Sequence, residues 1–245
     1  MELQPVLLII IFLIAVFYSI VGHGGASGYI AAMVIFSVPS NDVRLYALIL
    51  NLFVSGIAFY SFHKAGYFKF DLLWPFLLAS VPFAFLGGSI SLRPQILHIF
   101  IAIALLISAL QMVIQRQAKA TGPATGIPLG KAIPIGAGVG FISGLIGIGG
   151  GILLSPVLIL TKWATARATA SVSAAFIFLN SLSGLAGQII GGKAVSPTIL
   201  VYACTALAGG FIGSGLGSNL FSPYRLKIAL SCVLTLASFK LLFFR

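Results

Sequence analysis

Carboxylates are almost missing from this chain. Glu2, Asp42 and Asp71 are its only acidic residues in 245 positions, and charged side chains of both signs together make up 7%. A soluble domain carries about 25% charged residues, so a water-soluble enzyme or binding module is excluded. All three acids fall at or near the ends of apolar segments, which leaves no carboxylate to ligate a cation at membrane depth and no paired carboxylates for acid–base catalysis. Only two cysteines occur, Cys204 and Cys232, each within an apolar helix and with no CxxC or His/Cys cluster. They read as structural thiols, with no disulfide, metal or cofactor implied. No HExxH, Ser/His/Asp set or phosphate-binding loop appears, so an embedded enzyme and direct ATP drive within the chain are set aside. A basic n-region is also lacking at the N-terminus, so the first apolar stretch is expected to stay in the membrane rather than be cleaved.

What is present is hydrophobic length. Apolar residues make up 60% of the chain, and runs near the length of a bilayer crossing recur at 72–90, 96–114 and 199–220. The expected class is an all-α integral membrane protein, multi-pass and in the plasma membrane, with the lipid bilayer as its first partner. Net charge is +11. Lys and Arg crowd cytoplasmic loops in such proteins, so the excess calls for no nucleic acid. Combined with so few acids, it favours an anionic over a cationic substrate.

Glycine is the other abundant residue, with 28 copies, and it clusters. Gly22-His23-Gly24-Gly25-Ala26-Ser27-Gly28 and Gly147-Ile148-Gly149-Gly150-Gly151 each interrupt an apolar segment, 125 positions apart. Phe85-Leu86-Gly87 aligns with Phe211-Ile212-Gly213 at an offset of 126, and Asn51 with Asn180 at 129. The chain therefore reads as a duplication: a first membrane repeat over 1–115, a connecting loop over 116–130 rich in charge, Pro and Gly, and a second repeat over 131–245. Each repeat holds a glycine-broken or re-entrant segment (5–38 and 131–161) followed by three spans, at 43–62, 72–91 and 96–115 and at 168–190, 197–220 and 225–243. That makes 8–10 membrane segments. Two ladders of small residues, Gly136/Gly140/Gly144 and Gly209/Gly213/Gly217, predict close helix packing.

Loop charge tests the topology. If each broken segment crosses once, the basic residues divide almost evenly between the two sides. If each goes in and returns, Lys64, Lys69, Arg116, Lys119, Lys131, Lys162, Arg167, Arg225 and Lys227 share one side. Arg44, Arg93, Lys193, Lys240 and Arg245 share the other. The second arrangement fits the positive-inside tendency better, and it makes the two repeats inverted with both termini outside.

A helix that restarts within a membrane exposes N–H groups with no intrahelical partner, and its dipole favours an anion there. Candidate anion-binding positions are therefore Gly24, Gly25, Ala26 and Ser27 in the first break and Gly149, Gly150 and Gly151 in the second. The alternative is that the glycines only permit a kink. Asn51 and Asn180, with Ser55 and Ser183 about one turn on, can donate to a substrate oxygen or bond between helices; Gln188 is a weaker candidate. His23, whose repeat mate is Ile148, can donate to an anion or take a coupling proton, or simply cap a helix end. Arg44 and Arg167, each opening the span after a break, read as gates or collection points for an anion, or as interfacial anchors. Trp74, Trp163 and Tyr67 read as interfacial aromatics, and His63 and His98 as interfacial.

The Gly147-Ile148-Gly149-Gly150-Gly151 break followed by Pro156 and the small-residue helix 168–180, with its degraded copy Gly22-His23-Gly24-Gly25-Ala26 followed by Pro39 and Asn51, resembles the sulfite exporter TauE/SafE family over nearly the whole chain. The resemblance implies a plasma-membrane transporter of small sulfur-containing anions, such as sulfite or organosulfonates, usually exporting them. The more distant likeness to thiosulfate uptake proteins implies membrane cysteines at the site, but Cys204 and Cys232 lie at neither break. The leading expectation is a secondary transporter. The alternatives are a channel-like anion facilitator and a carrier of another small organic anion. Oligomeric state, a homodimer included, is left open.

Overall fold

The computed structural model describes residues 4–114, 127–217, 234–235, 238–240 and 242–243, with the side chains of 40, 41, 94 and 111–114 left aside. Most of the expected connecting loop, Cys232 and most of the span expected at 225–243 lie outside the described residues. Among the described residues nine helices are delimited: α1 Pro5–Ile20, α2 Ala26–Ile35, α3 Ser40–Lys64, α4 Phe70–Ser89, α5 Pro94–Ile114, α6 Leu129–Ile146, α7 Gly151–Leu160, α8 Ala166–Ile190 and α9 Ile199–Gly217. No strand occurs among the described residues.

Five of these helices carry stretches long and apolar enough to cross a membrane: Asp42–Lys64, Phe70–Ser89, Leu129–Ile146, Ala166–Ile190 and Ile199–Gly217. The shorter apolar helices include α1, α2 and α7. Large apolar side chains such as Ile9, Leu78, Leu110, Leu200 and Phe211 lie exposed. In water such a surface would drive aggregation; in a multi-pass membrane protein it faces lipid.

Helix order and length recur between the halves. α2 and α7 are each 10 residues and α3 and α8 each 25. The endings recur as well. α1 closes with His23 N–H donating to Tyr18 O at 2.9 Å over left-handed Gly22, and α6 with Ile148 N–H to Ser143 O at 3.2 Å over left-handed Gly147. α2 and α7 end alike at Ser37 and Lys162, each at φ 58°, and α3 and α8 at Gly66 and Gly192. This six-to-one closure with a left-handed residue satisfies the last carbonyls of a helix. It falls 125 or 126 residues apart each time, as a duplicated chain would produce.

The glycine ladders are backbone contacts. A methyl added at Gly136, Gly140 or Gly144 on α6 would meet the carbonyls of Phe76, Ser80 and Ala84 on α4; one at Gly209, Gly213 or Gly217 on α9 would meet those of Phe12, Val16 and Ile20 on α1. Both pairs run parallel. The equivalences also exchange: Gly213 meets Val16, while its repeat mate Gly87 meets Phe141, the mate of Val16.

Helix directions decide what the broken segments do. α8 runs parallel to α4, since Asn180 bonds Ser80 near one end and Gly187 abuts Phe85 and Ser89 near the other. As α6 is also parallel to α4, α6 and α8 point the same way. The short α7 between them must therefore turn back, and it does, with Gly151 against Ile177 and Ser155 against Ser173. In the first half α3 runs parallel to α9 through Tyr46–Tyr202 and Val54–Gly210, so α1 and α3 share a direction and α2 returns. Each break is thus the tip of a hairpin. The counterparts α3 and α8 cross antiparallel, with Leu48, Asn51 and Gly56 facing Gly184, Ser181 and Phe178.

Candidate functional site

Both hairpin tips are built by glycine in conformations that other residues avoid. Gly25 at φ 95° precedes α2, and Gly149 and Gly150 at 70° and 80° precede α7. An L side chain in this left-handed region costs about 1–2 kcal/mol. The tips are buried throughout, over residues 24–33 and 144–152. The first-turn amides of Gly151 and Ile152 cannot bond within α7, and no other acceptor reaches them among the described residues.

Asn51 joins the two tips. It is 1% exposed at the middle of α3. Its Oδ1 accepts from the Ala26 N–H at 3.2 Å in the first break. Its Nδ2 donates to Ile148 O at 3.5 Å in the second break and to Ser181 Oγ at 3.0 Å on α8. No space remains around it: a methyl on Gly24 would strike its Oδ1, and one on Gly149 would strike its Nδ2. The carboxamide therefore fills the point where the hairpins meet.

His23 makes a second link between the halves. Its Nδ1 lies 3.0 Å from Val21 O and its Nε2 3.0 Å from Ser155 Oγ on α7. Ser155 Oγ lies 2.8 Å from Ser173 Oγ and 2.7 Å from Gly151 O. This chain suits either protonation state of the ring. With Nδ1–H given to Val21, a neutral imidazole accepts at Nε2 from the Ser155 hydroxyl. A protonated ring donates there instead, and the hydroxyl turns to Gly151 O.

Of the expected site residues, the structure gathers His23, Gly24, Gly25, Ala26, Asn51, Gly149, Gly150 and Gly151. Ser27 lies beside them with its hydroxyl engaged by Tyr18 at 2.9 Å, and Ser55 bonds back to Leu52 O at 3.3 Å. Asn180 and Ser183 stand elsewhere. Asn180 donates to Ser80 Oγ and Phe176 O, and Ser183 to Val81 O, so both face α4. The offset of 129 does not hold along this helix: Gly24 abuts Asn51, whereas its mate Gly149 abuts Ile177, a separation of 126. At about 100° per residue, three positions turn a side chain to another face. Arg44 and Arg167 lie at opposite ends of the α3–α8 pair. Arg167 is at the rim, donating to Tyr67 OH at 2.6 Å with its guanidinium over that ring. Arg44 is 4% exposed.

Sequence reasoning missed Ser155, Ser173 and Ser181. Ser155 carried one signal, since it sits one turn inside the helix that starts at the break. It also missed two buried hydroxyls with no hydrogen bond among the described residues, Tyr29 OH beside Gly25 and Ser143 Oγ beside Gly150.

Paired hairpin tips, bundled with helices long enough to cross a bilayer, define a multi-pass membrane protein. The model of the sulfite exporter TauE/SafE family matches residues 7–241, and the chain belongs to that family. It is 37% identical over 240 residues to a probable membrane transporter protein of Sinorhizobium fredii, covering 96% of this chain and 97% of that one. It is 27% identical over 254 residues to a probable membrane transporter protein of Methanocaldococcus jannaschii, covering 95% of this chain and 92% of that one. No solved structure matches it.

Proposed function

We propose that this protein is a secondary carrier that exports a small sulfur-containing oxyanion, sulfite or an organosulfonate, across the plasma membrane. The two repeats, 1–115 and 131–245, hold the anion between their hairpin tips. The observation that carries this reading is the position of Asn51, whose Oδ1 occupies an N–H site in one break while its Nδ2 reaches the other. A carboxamide oxygen there stands in for a substrate oxygen. An arriving anion takes over the Ala26 N–H and the free amides opening α7. Asn51 then rotates and offers Nδ2 to the same anion. Helix-start amides bind oxyanions without formal charge, which suits a chain with so little charge in its spans. The buried, filled tip describes an occluded, self-ligated state, and alternation of the two hairpins about it exposes the site to each side in turn.

His23 and Ser155 supply a route for a coupling proton next to the anion, because their hydrogen bonds reorganise without loss on protonation. The test is a stabilisation screen of purified protein against sulfite, sulfate, thiosulfate, sulfoacetate and related carboxylates, followed by counterflow in vesicles. Saturable counterflow of a stabilising sulfur anion is expected. Single-channel conductance without counterflow would replace the carrier by a facilitator, and stabilisation by carboxylates alone would replace the substrate class.

A further inference from the structure

A second cationic feature lies away from the hairpin tips. Arg44, in the first turns of α3, is buried, and Lys193 follows the end of α8; both line one cavity with Ser91, Leu92 and Leu97. The cavity is small and open to the surface, with about 30 Å³ of enclosed space. Arg44 gives its terminal nitrogens to Ile90 O at 3.3 Å and Gly144 O at 3.1 Å, at the C-terminal ends of α4 and α6. Its Nε is buried with no hydrogen bond among the described residues. Neither cation forms an ion pair among the described residues, whose only acids are Asp42 and Asp71. A buried, partly unpartnered guanidinium is costly unless something negative approaches it. Arg44 is also the wall between this cavity and the second hairpin, since Gly147 packs on its backbone and Gly144 on its guanidinium.

We infer that this cavity is a vestibular anion site, in which Arg44 and Lys193 hold the head of a small soluble oxyanion while Leu92 and Leu97 cover a short apolar tail. A sulfonate fits this pairing of charge and apolar surface. The site extends the carrier reading above by giving the anion a station on one side of the bundle. Arg167, near the start of α8, is instead tied to Tyr67 at the rim.

The test reads local charge directly and does not require transport. In full-length protein with Cys204→Ala and Cys232→Ala, Ser91→Cys places a thiol at the exposed mouth. Modification by the anionic sulfonatoethyl methanethiosulfonate is compared with the cationic trimethylammonioethyl reagent in neutral phosphatidylcholine nanodiscs. Lys193→Gln is expected to slow the anionic reagent roughly fourfold, as one charge at about 5 Å in a water-like dielectric would, and not the cationic one. Lys193→Arg should restore the rate, and methanesulfonate should protect the thiol. An anionic rate unchanged by Lys193→Gln, or no protection by methanesulfonate, would overturn the site. Protection only when phosphatidylglycerol is added would assign the cavity to a lipid headgroup and overturn the soluble ligand. Loss of counterflow with this labelling pattern intact would overturn the carrier and leave the vestibule standing.

Discussion

The glycines of this protein separate backbone strain from steric conflict, and three Gly→Ala substitutions isolate each. Gly66 lies at φ 79° with nothing within 4 Å of an added methyl, so Gly66→Ala is strain alone. Gly24 has no left-handed conformation, but its methyl would strike the Asn51 carboxamide, so Gly24→Ala is conflict alone. Gly149 has both, at φ 70° with Asn51 Nδ2, Ser181 Oγ and Ile177 in the way. Left-handed strain costs about 1–2 kcal/mol. Breaking one of the hydrogen bonds of Asn51 loses about 1 kcal/mol, and overpacking adds about 1–3 kcal/mol. Gly66→Ala should therefore cost about 1–2 kcal/mol, Gly24→Ala about 2–4 and Gly149→Ala about 3–6. Thermal unfolding of the purified protein in detergent orders them, with midpoint drops of about 2–4 °C per kcal/mol at this chain length. Asn51→Ala removes the side chain that Gly24→Ala strikes, so the double variant should be more stable than the two single losses added together. Additive losses in that pair, or a Gly66→Ala drop equal to that of Gly149→Ala, would refute the interlocked tips.

The parallel ladders make an equally local contrast on α6. Gly138 is exposed with nothing within 4 Å, while a methyl at Gly140 would meet Ser80 O. Gly138→Ala should raise the midpoint through a helix propensity gain of about 1 kcal/mol, and Gly140→Ala should lower it; equal shifts would deny the backbone contact. Cysteine-accessibility labelling should find positions 64 and 162 on the same, cytoplasmic side and positions 91 and 193 together on the other; opposite sidedness within a pair would reject the hairpin topology. His23→Gln and Ser155→Ala should both remove any dependence of counterflow on an imposed pH gradient while leaving anion stabilisation in place. A gradient dependence that survives both substitutions excludes this pair from proton coupling.

The class of the molecule was legible in composition, because a chain with so few charges and apolar runs of bilayer length has no stable form in water. The breaks were legible too, since adjacent glycines are free to take the left-handed conformations that end one helix and open the next. Gly25 and Gly150 stand where the duplicated motif put them. Loop charge pointed to returning hairpins, but only the packing directions of α6, α4 and α8 decide it, because direction is a property of pairs of helices and leaves no mark on any single one. The same holds for the site. Sequence equivalence paired Asn51 with Asn180, yet rotation about α8 turns Asn180 to Ser80 and presents Ser181 to Asn51 instead. Arg44 and Arg167 look alike as the openings of equivalent helices, and only the tertiary fold buries one beside Lys193 and stacks the other on Tyr67. Composition and glycine placement thus determined what the protein is made of: membrane helices with two breaks. Which side chains meet at those breaks depends on angles of about 100° per residue around packed helices, and that was decided by the tertiary structure alone.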